Sequence, residues 1–182
     1  MDQGLIPRRY AKALYAVGVE RSDTANLYQL MQALGKAFAD KPGLAATVAN
    51  PFVSDADKSS LLIKAVGGND GKPDATYADF LKLLEKNKRT ALARDIARAY
   101  VDLYRQQNAI YRVDICSAAP MGERERARLE QIIAKHVGEG TIEYNYTTDP
   151  SLIGGFTVTV NSERLDASVS SQLKQLRLKL VN

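Results

Sequence analysis

His136 and Cys116 are the only imidazole and the only thiol in this 182-residue chain. A structural zinc site needs four ligands drawn mainly from those two residue types, so the chain cannot build a typical one. A thiol–imidazole nucleophile would require Cys116 beside an activating charge, yet the segment around it, residues 110–119, is apolar and strand-like. Glu123, Glu125 and Glu130 are interleaved with Arg124, Arg126 and Arg128. That is the pattern of a solvated, ion-paired helix face, not of a general acid and base. Two glycine clusters fail as phosphate cradles. Pro73 follows Lys72 where a P-loop requires Ser or Thr, and Gly138-Glu139-Gly140 lacks the third glycine of a dinucleotide fingerprint. The expectation is no catalytic residue, no metal site and no cofactor, which leaves binding as the work the chain can do.

The stretch 149–166, DPSLIGGFTVTVNSERLD, carries the clearest local signal. Asp149-Pro150-Ser151 starts a turn, and Phe156, Val158 and Val160 then alternate with polar residues as in a half-buried strand. The paired Gly154 and Gly155 suit a simple bend, a bulge, or a place where another backbone comes too close for a Cβ.

Before this stretch the chain reads as helices. Residues 6–21 place Pro7 at a helix start and Tyr10, Ala13, Leu14 and Val17 at helical spacing, with small residues that line either a core or a groove. Ser22-Asp23-Thr24 offers a cap for a second helix with a continuous stripe of Leu27, Leu30, Met31, Leu34 and Phe38, ended by Lys41-Pro42-Gly43. A helical turn over 44–48 and the punctuation Asn50-Pro51 follow. Ser54 to Asp57 resembles a capping box for a helix with Leu61, Leu62, Ala65 and Val66 inward. Residues 73–87 place Tyr77, Phe80, Leu81 and Leu84 at i, i+3, i+4 and i+7, with Leu83 widening the apolar surface. Thr90 caps a sixth helix carrying Leu92, Ile96, Ala99, Tyr100 and Leu103.

From residue 108 the style changes. A strand over 110–119, a helix over 123–136 burying Leu129, Ile132 and Ile133, and a strand over 141–147 with Ile142, Tyr144 and Tyr146 on one face precede the glycine-led strand. A short return at Leu165 leads to a last helix with Val169, Leu173, Leu176 and Leu180 on a narrow stripe. The expected fold class is α+β: residues 1–107 form a six-helix bundle, and residues 108–182 a small α+β domain with a short sheet and a terminal helix.

Composition sets the remaining bounds. A hydrophobic content of 45% supports a real core, and no apolar run approaches the length of a membrane span. The opening MDQGLIPRRY lacks the layout of a secretion signal, so membrane association is expected only through partners. The whole net charge of +4 lies in residues 1–108. This suits an acidic partner and falls short of what nucleic-acid binding needs.

Residues 149–156, followed by a strand and then Asp166-Ala167-Ser168-Val169 opening a terminal helix, resemble the C-terminal signature of the delta subunit of F-type ATP synthases, the family of the oligomycin-sensitivity-conferring protein. Asn161 and Ala167 stand where that family more often has Gly. The resemblance extends to Arg9-Tyr10-Ala11-Lys12-Ala13-Leu14, Asn50-Pro51-Phe52-Val53, Phe80-Leu81-Lys82-Leu83-Leu84 and Asn87-Lys88-Arg89. It implies a non-catalytic stator subunit that links the catalytic α/β head to the peripheral b-subunit stalk of a proton-translocating enzyme. It also implies a place on the cytoplasmic face of a bacterial inner membrane, held there through the complex. Carried over, Tyr10, Ala13, Leu14, Val17, Tyr77, Phe80, Leu81 and Leu84 become candidates for a groove that takes the α subunit's N-terminal helix. Leu152, Gly154, Gly155, Val169, Leu173, Leu176 and Leu180 become candidates for contact with the C-terminal end of the b-subunit dimer. No nucleic acid is expected. The alternative is a helical nucleic-acid-binding module, motivated by Lys82, Lys86, Lys88, Arg89, Arg94 and Arg98. Its binding would depend steeply on salt.

Overall fold

A computed structural model describes residues 4–66, 74–160 and 163–173. The chain divides into two units, Met1–Tyr104 and Arg105–Asn182. The fold is α+β.

The first unit is built from helices α1 (Leu5–Glu20), α2 (Thr24–Asp40), α3 (Pro42–Ala49), α4 (Asp55–Ala65) and α5 (Ala75–Lys86), a 3-10 turn at Thr90–Leu92, and α6, which runs Ala93–Gln107. The stripe expected on α2 is its core face: Leu27, Met31 and Leu34 are fully buried, Phe38 nearly so, and Leu30 packs at the margin. Each such side chain contributes about 1.5–3 kcal/mol by leaving water. Pro42 ends α2 and also opens α3, where its missing N–H is no loss. Small residues of α1 serve helix packing. Ala11 and Gly18 are buried, and a Cβ on Gly18 would come within 3.0 Å of Leu27 Cδ1. Ser54 caps α4 by accepting the Asp57 N–H at 3.1 Å, while its hydroxyl donates to Asp57 Oδ2 at 2.6 Å. Asp74 caps α5 by accepting the N–H groups of Thr76 and Tyr77.

Leu61 departs from expectation: it is exposed, while Lys58, Ser59 and Leu62 are buried. The inward stripe of α4 lies one position around the helix, and the Lys58 stem fills the place expected of an apolar side chain.

The second unit carries β1 (Ile110–Ser117), α7 (Glu123–Val137), β2 (Thr141–Thr148), β3 (Gly155–Val160) and β4 (Glu163–Ser168). The sheet order is β2-β1-β3-β4, with β1 parallel to β2 and the other pairs antiparallel. Parallel strands need a crossover, and α7 supplies it. Glu125 reaches back to accept the Gly122 N–H at 3.1 Å and so fixes the start of α7. Register places Val113, Ile115 and Val158 on one face, where they are buried with Leu129 and Ile133 of α7. Tyr144 donates to the Glu130 carbonyl at 3.3 Å, Tyr146 donates to the Glu130 carboxylate, and Arg126 stacks 4.9 Å from the Tyr146 ring centroid. These contacts seat α7 over β1 and β2.

The opposite face is polar. Arg105 pairs with Glu143 at 2.7 Å, and Asp114 accepts hydrogen bonds from Arg112 and Asn145, both at 2.8 Å. Burial works against the Asp114 charge, but those hydrogen bonds, with the Arg112 and Arg105 charges, outweigh it and hold the carboxyl below its usual range.

Three expectations are corrected in this unit. Ile132, expected inward, is 58% exposed, because α7 meets the sheet along a stripe only as wide as Leu129 and Ile133. The return at Leu165 is a full edge strand. Residues 169–173 are helical, so the last helix opens after Ser168 and not at Asp166. Leu176 and Leu180, with Lys174, Arg177 and Lys179, lie outside the described residues.

Candidate functional site

Two faces, one in each unit, gather the residues singled out by sequence. On the first, α1 and α5 run antiparallel, fixed at both ends. Arg21, just past the end of α1, donates to Thr76 Oγ1 at 3.2 Å and to Asp79 Oδ2 at 3.3 Å, near the start of α5. Toward the other end, Arg89 donates to the Tyr10 hydroxyl at 3.2 Å, with its guanidinium carbon 5.7 Å from the ring centroid. Helical spacing from Tyr10 and Arg21 therefore places Leu14 and Val17 on the α1 stripe nearest α5. From Thr76 and Asp79 it places Leu83 on the matching stripe of α5.

Burial separates the eight groove candidates. Leu14, Tyr77, Phe80, Leu81 and Leu84 are buried; Tyr10 and Val17 are half-buried; Ala13 is exposed. Tyr77 is anchored by donating to the Leu62 carbonyl at 3.2 Å, and burial pushes its hydroxyl pKa well above the ordinary range. The α5 stripe is thus part of the core of the helical unit. Leu83, which the sequence reading left off that stripe, is 45% exposed. Its signal was present in the widened apolar surface of the helix. Lys12, Lys82 and Lys86 are exposed on the same two helices.

On the second face, Gly155 has φ +75°, and a Cβ there would overlap the Ala167 carbonyl oxygen of the neighbouring strand. The close-approach reading of the paired glycines holds at this residue. A Cβ on Gly154 would meet Val169 Cγ2 at 3.0 Å, and the Val169 N–H donates to the Gly154 carbonyl at 3.0 Å. Leu152 is half-buried just before the pair, so Leu152, Gly154, Gly155 and Val169 meet at one corner of the sheet. Val169 and Leu173 remain exposed.

That corner opens onto a cleft of about 660 Å³ between the β1–α7 loop, α7 and the turn before β3. Met121, Leu129, Ile132, Ile153 and Phe156 supply its apolar lining, while Glu125 and Arg128 stand on the α7 wall. Ile153 is 69% exposed and sits at φ +66°, a conformation that costs a β-branched residue strain. Sequence reasoning missed Ile153 because an isoleucine before two glycines reads as a strand start.

The helical turn after this corner is capped by two residues of the C-terminal signature. Asp166 Oδ1 accepts the Ser168 N–H at 3.0 Å and the Ser168 hydroxyl at 2.6 Å, and Oδ2 accepts the Ser171 hydroxyl at 2.8 Å. Ser168 Oγ in turn accepts the Ser171 N–H at 3.3 Å. The Ser168 hydrogen bonds, followed by that from Ser171, lower the Asp166 pKa to about 2.

Neither face brings together a nucleophile, a base and an oxyanion donor, and among the described residues no His, Cys, Asp and Glu group has metal-site geometry. What both offer is apolar surface on a fixed frame. Residues 6–180 match the family model described as ATP synthase delta (OSCP) subunit. The chain belongs to that family. A relative named ATP synthase subunit delta from Bacteroides fragilis is 34% identical over 182 residues, covering 100% of this chain and 97% of the relative. One of the same name from Parabacteroides distasonis is 34% identical over 181 residues, and one from Desulfovibrio desulfuricans 31% over 179. The fold also matches a chain in the cryo-EM structure of the Toxoplasma gondii mitochondrial ATP synthase hexamer. There the TM-score is 0.73, with 21% identity and 97% of each chain covered. Among the described residues, no helix is long and apolar enough to cross a membrane.

Proposed function

We propose that this chain is the non-catalytic stator subunit of a proton-translocating F-type ATP synthase, joining the catalytic α/β head to the peripheral b-subunit stalk. The family match across nearly the whole chain carries this reading. A torque-resisting coupler needs two adhesive faces and no reaction centre, and the α1–α5 seam and the Gly154–Val169 corner supply one face in each unit. The seam takes the N-terminal helix of an α subunit. Leu14, Phe80 and Leu84 form its floor, Tyr10, Ala13, Val17 and Leu83 its accessible edge, and the surrounding lysines favour an acidic helix. The corner, with Ile132 and Ile153 of the adjoining cleft, takes the end of the b dimer. The subunit then sits peripherally on the cytoplasmic face of the membrane, held by its partners.

The test is calorimetric titration of the full chain with the α-subunit N-terminal peptide from the same genome, at low and high salt. Ala13→Trp is the informative variant, because Ala13 is exposed and its replacement leaves the core intact. Binding that survives salt and is lost in Ala13→Trp supports the seam. Binding that vanishes with salt, together with affinity for oligonucleotides, would replace the stator with the nucleic-acid module.

A further inference from the structure

The helix α7 lies over β1 and β2, and the β3–β4 half of the same sheet face is open. Val158 of β3 is buried with Leu129 and Ile133, so its side chain points to the α7 side. Leu165 of β4 is its antiparallel partner and points the same way, yet it is 64% exposed. Phe156 and Val160 on that side are half-buried, and Ile132 stands exposed on the flank of α7. An apolar sheet face of this kind is stable once another element covers it.

A second apolar stripe begins at the rim of that face. Val169 follows β4, and its N–H bond to the Gly154 carbonyl holds it beside Gly154. Gly154 in turn lines the cleft bordered by Ile132 and Ile153. Leu173 recurs one turn after Val169 and is 51% exposed. The sequence continues that spacing with Leu176 and Leu180. At helical rise residues 169–182 span about 20 Å, and the extended run from Glu163 to Val169 spans about the same. Charge favours the same pairing. Residues 174–182 contain Lys174, Arg177 and Lys179 with no Asp or Glu. Glu163, opposite Val160 at the far end of the face, is in no ion pair among the described residues. At the near end Glu125 and Arg128 balance one another on the cleft wall.

We propose that in the free chain residues 174–182 fold back across the β3–β4 face, so that Leu173, Leu176 and Leu180 cover Leu165, Ile132 and Ile153, and that the stalk displaces them when it binds. Both halves of this closed pair belong to the surface assigned to the b dimer, so self-cover and stalk binding exclude one another. A segment tethered at the rim of its own face competes at an effective concentration on the order of millimolar, ahead of a free partner. The stalk's apparent affinity is then its intrinsic affinity reduced by the fraction of open chains. The unassembled subunit thereby hides its apolar surface and gives it up only to the partner. The competition rests on the stator reading, because it needs the b dimer as the rival.

The experiment attaches a nitroxide to the full chain through Asn182→Cys in a Cys116→Ser background, with the methyl groups of Ile, Leu and Val isotope-labelled for NMR. A thermal midpoint equal to that of wild type establishes that the fold is kept. The expected result is loss of the Ile132, Ile153 and Leu165 methyl signals in the free chain, and their return when the soluble b-subunit dimer from the same genome is added in excess. Undiminished signals in the free chain overturn the fold-back and leave the stator reading standing. Signals lost when spin-labelled chain without isotope is mixed with isotope-labelled chain without nitroxide assign the cover to a second copy and overturn the proposal. Signals that stay lost with the b dimer bound overturn the displacement. No binding of the b dimer by calorimetry overturns the stator reading, while the free-chain signals still decide the fold-back.

Discussion

Arg89 donates to the hydroxyl of Tyr10 and lies over the same ring, joining the residues just beyond α5 to the second turn of α1. Both groups are partly solvated, so the bond contributes modestly. Arg89→Ala is expected to lower stability by about 0.5–1 kcal/mol in urea titration. It should also speed amide exchange in the first turns of α1, while Arg21→Ala speeds exchange at the other end of the seam. A loss of several kcal/mol would mean that Arg89 carries core packing.

Phe80 and Leu83 separate stability from binding on one helix. Phe80→Ala opens a cavity in the core and should cost about 3–5 kcal/mol, enough to make any loss of binding uninterpretable. Leu83→Ala should stay within about 0.5 kcal/mol of wild type and weaken the α-subunit peptide by several-fold. Paired melts and titrations decide it; equal affinity for the Leu83 variant removes that residue from the site.

Ser59 is buried on α4, and its hydroxyl has no hydrogen-bond partner among the described residues. Ser59→Ala is therefore expected to raise stability by about 1 kcal/mol, read from the thermal midpoint. A lower midpoint would show that the hydroxyl is satisfied in solution.

Gly155→Ala forces a side chain onto a left-handed backbone and into the Ala167 carbonyl. The second unit should lose about 2 kcal/mol or more, visible as faster amide exchange in β3 and β4 with α1–α5 unchanged. Gly154→Ala should be milder, because its new neighbour is a valine methyl that can shift.

Asp166 carries a pKa depressed from 3.8 to about 2 by its bonds to Ser168 and Ser171. A depressed acid binds its proton more readily in the unfolded chain. Its stabilising contribution is complete above about pH 4 and fades as pH falls toward 2. NMR titration of the Ser171 amide in the folded protein should show a midpoint near pH 2, and Asp166→Asn should abolish it.

Tyr77, Phe80, Leu81 and Leu84 were legible as one apolar stripe because helical period alone fixes which residues share a face. Whether that face is floor or open groove depends on what lies across from it, and no local pattern contains that. The same gap explains Leu61 and Ile132: each sits one position from a buried stripe whose width is set by a neighbouring element. Leu165 was read as a short return because ERLDAS lacks alternation, and an edge strand solvated on its outer side does not require it. The glycine pair was legible because few other residues tolerate such an approach.

The parallel partnership of β1 with β2, and its second edge against β3, sets an order on synthesis. β1 is the first strand to leave the ribosome, yet its last neighbour is made roughly 40 residues later, a delay of about two to eight seconds at ordinary elongation rates. The helices of Met1–Tyr104 need only earlier contacts and can consolidate in that interval. Until Val158 arrives, Val113 and Ile115 have no complete cover. The apolar face of β1 is thus the surface that stays open longest during synthesis.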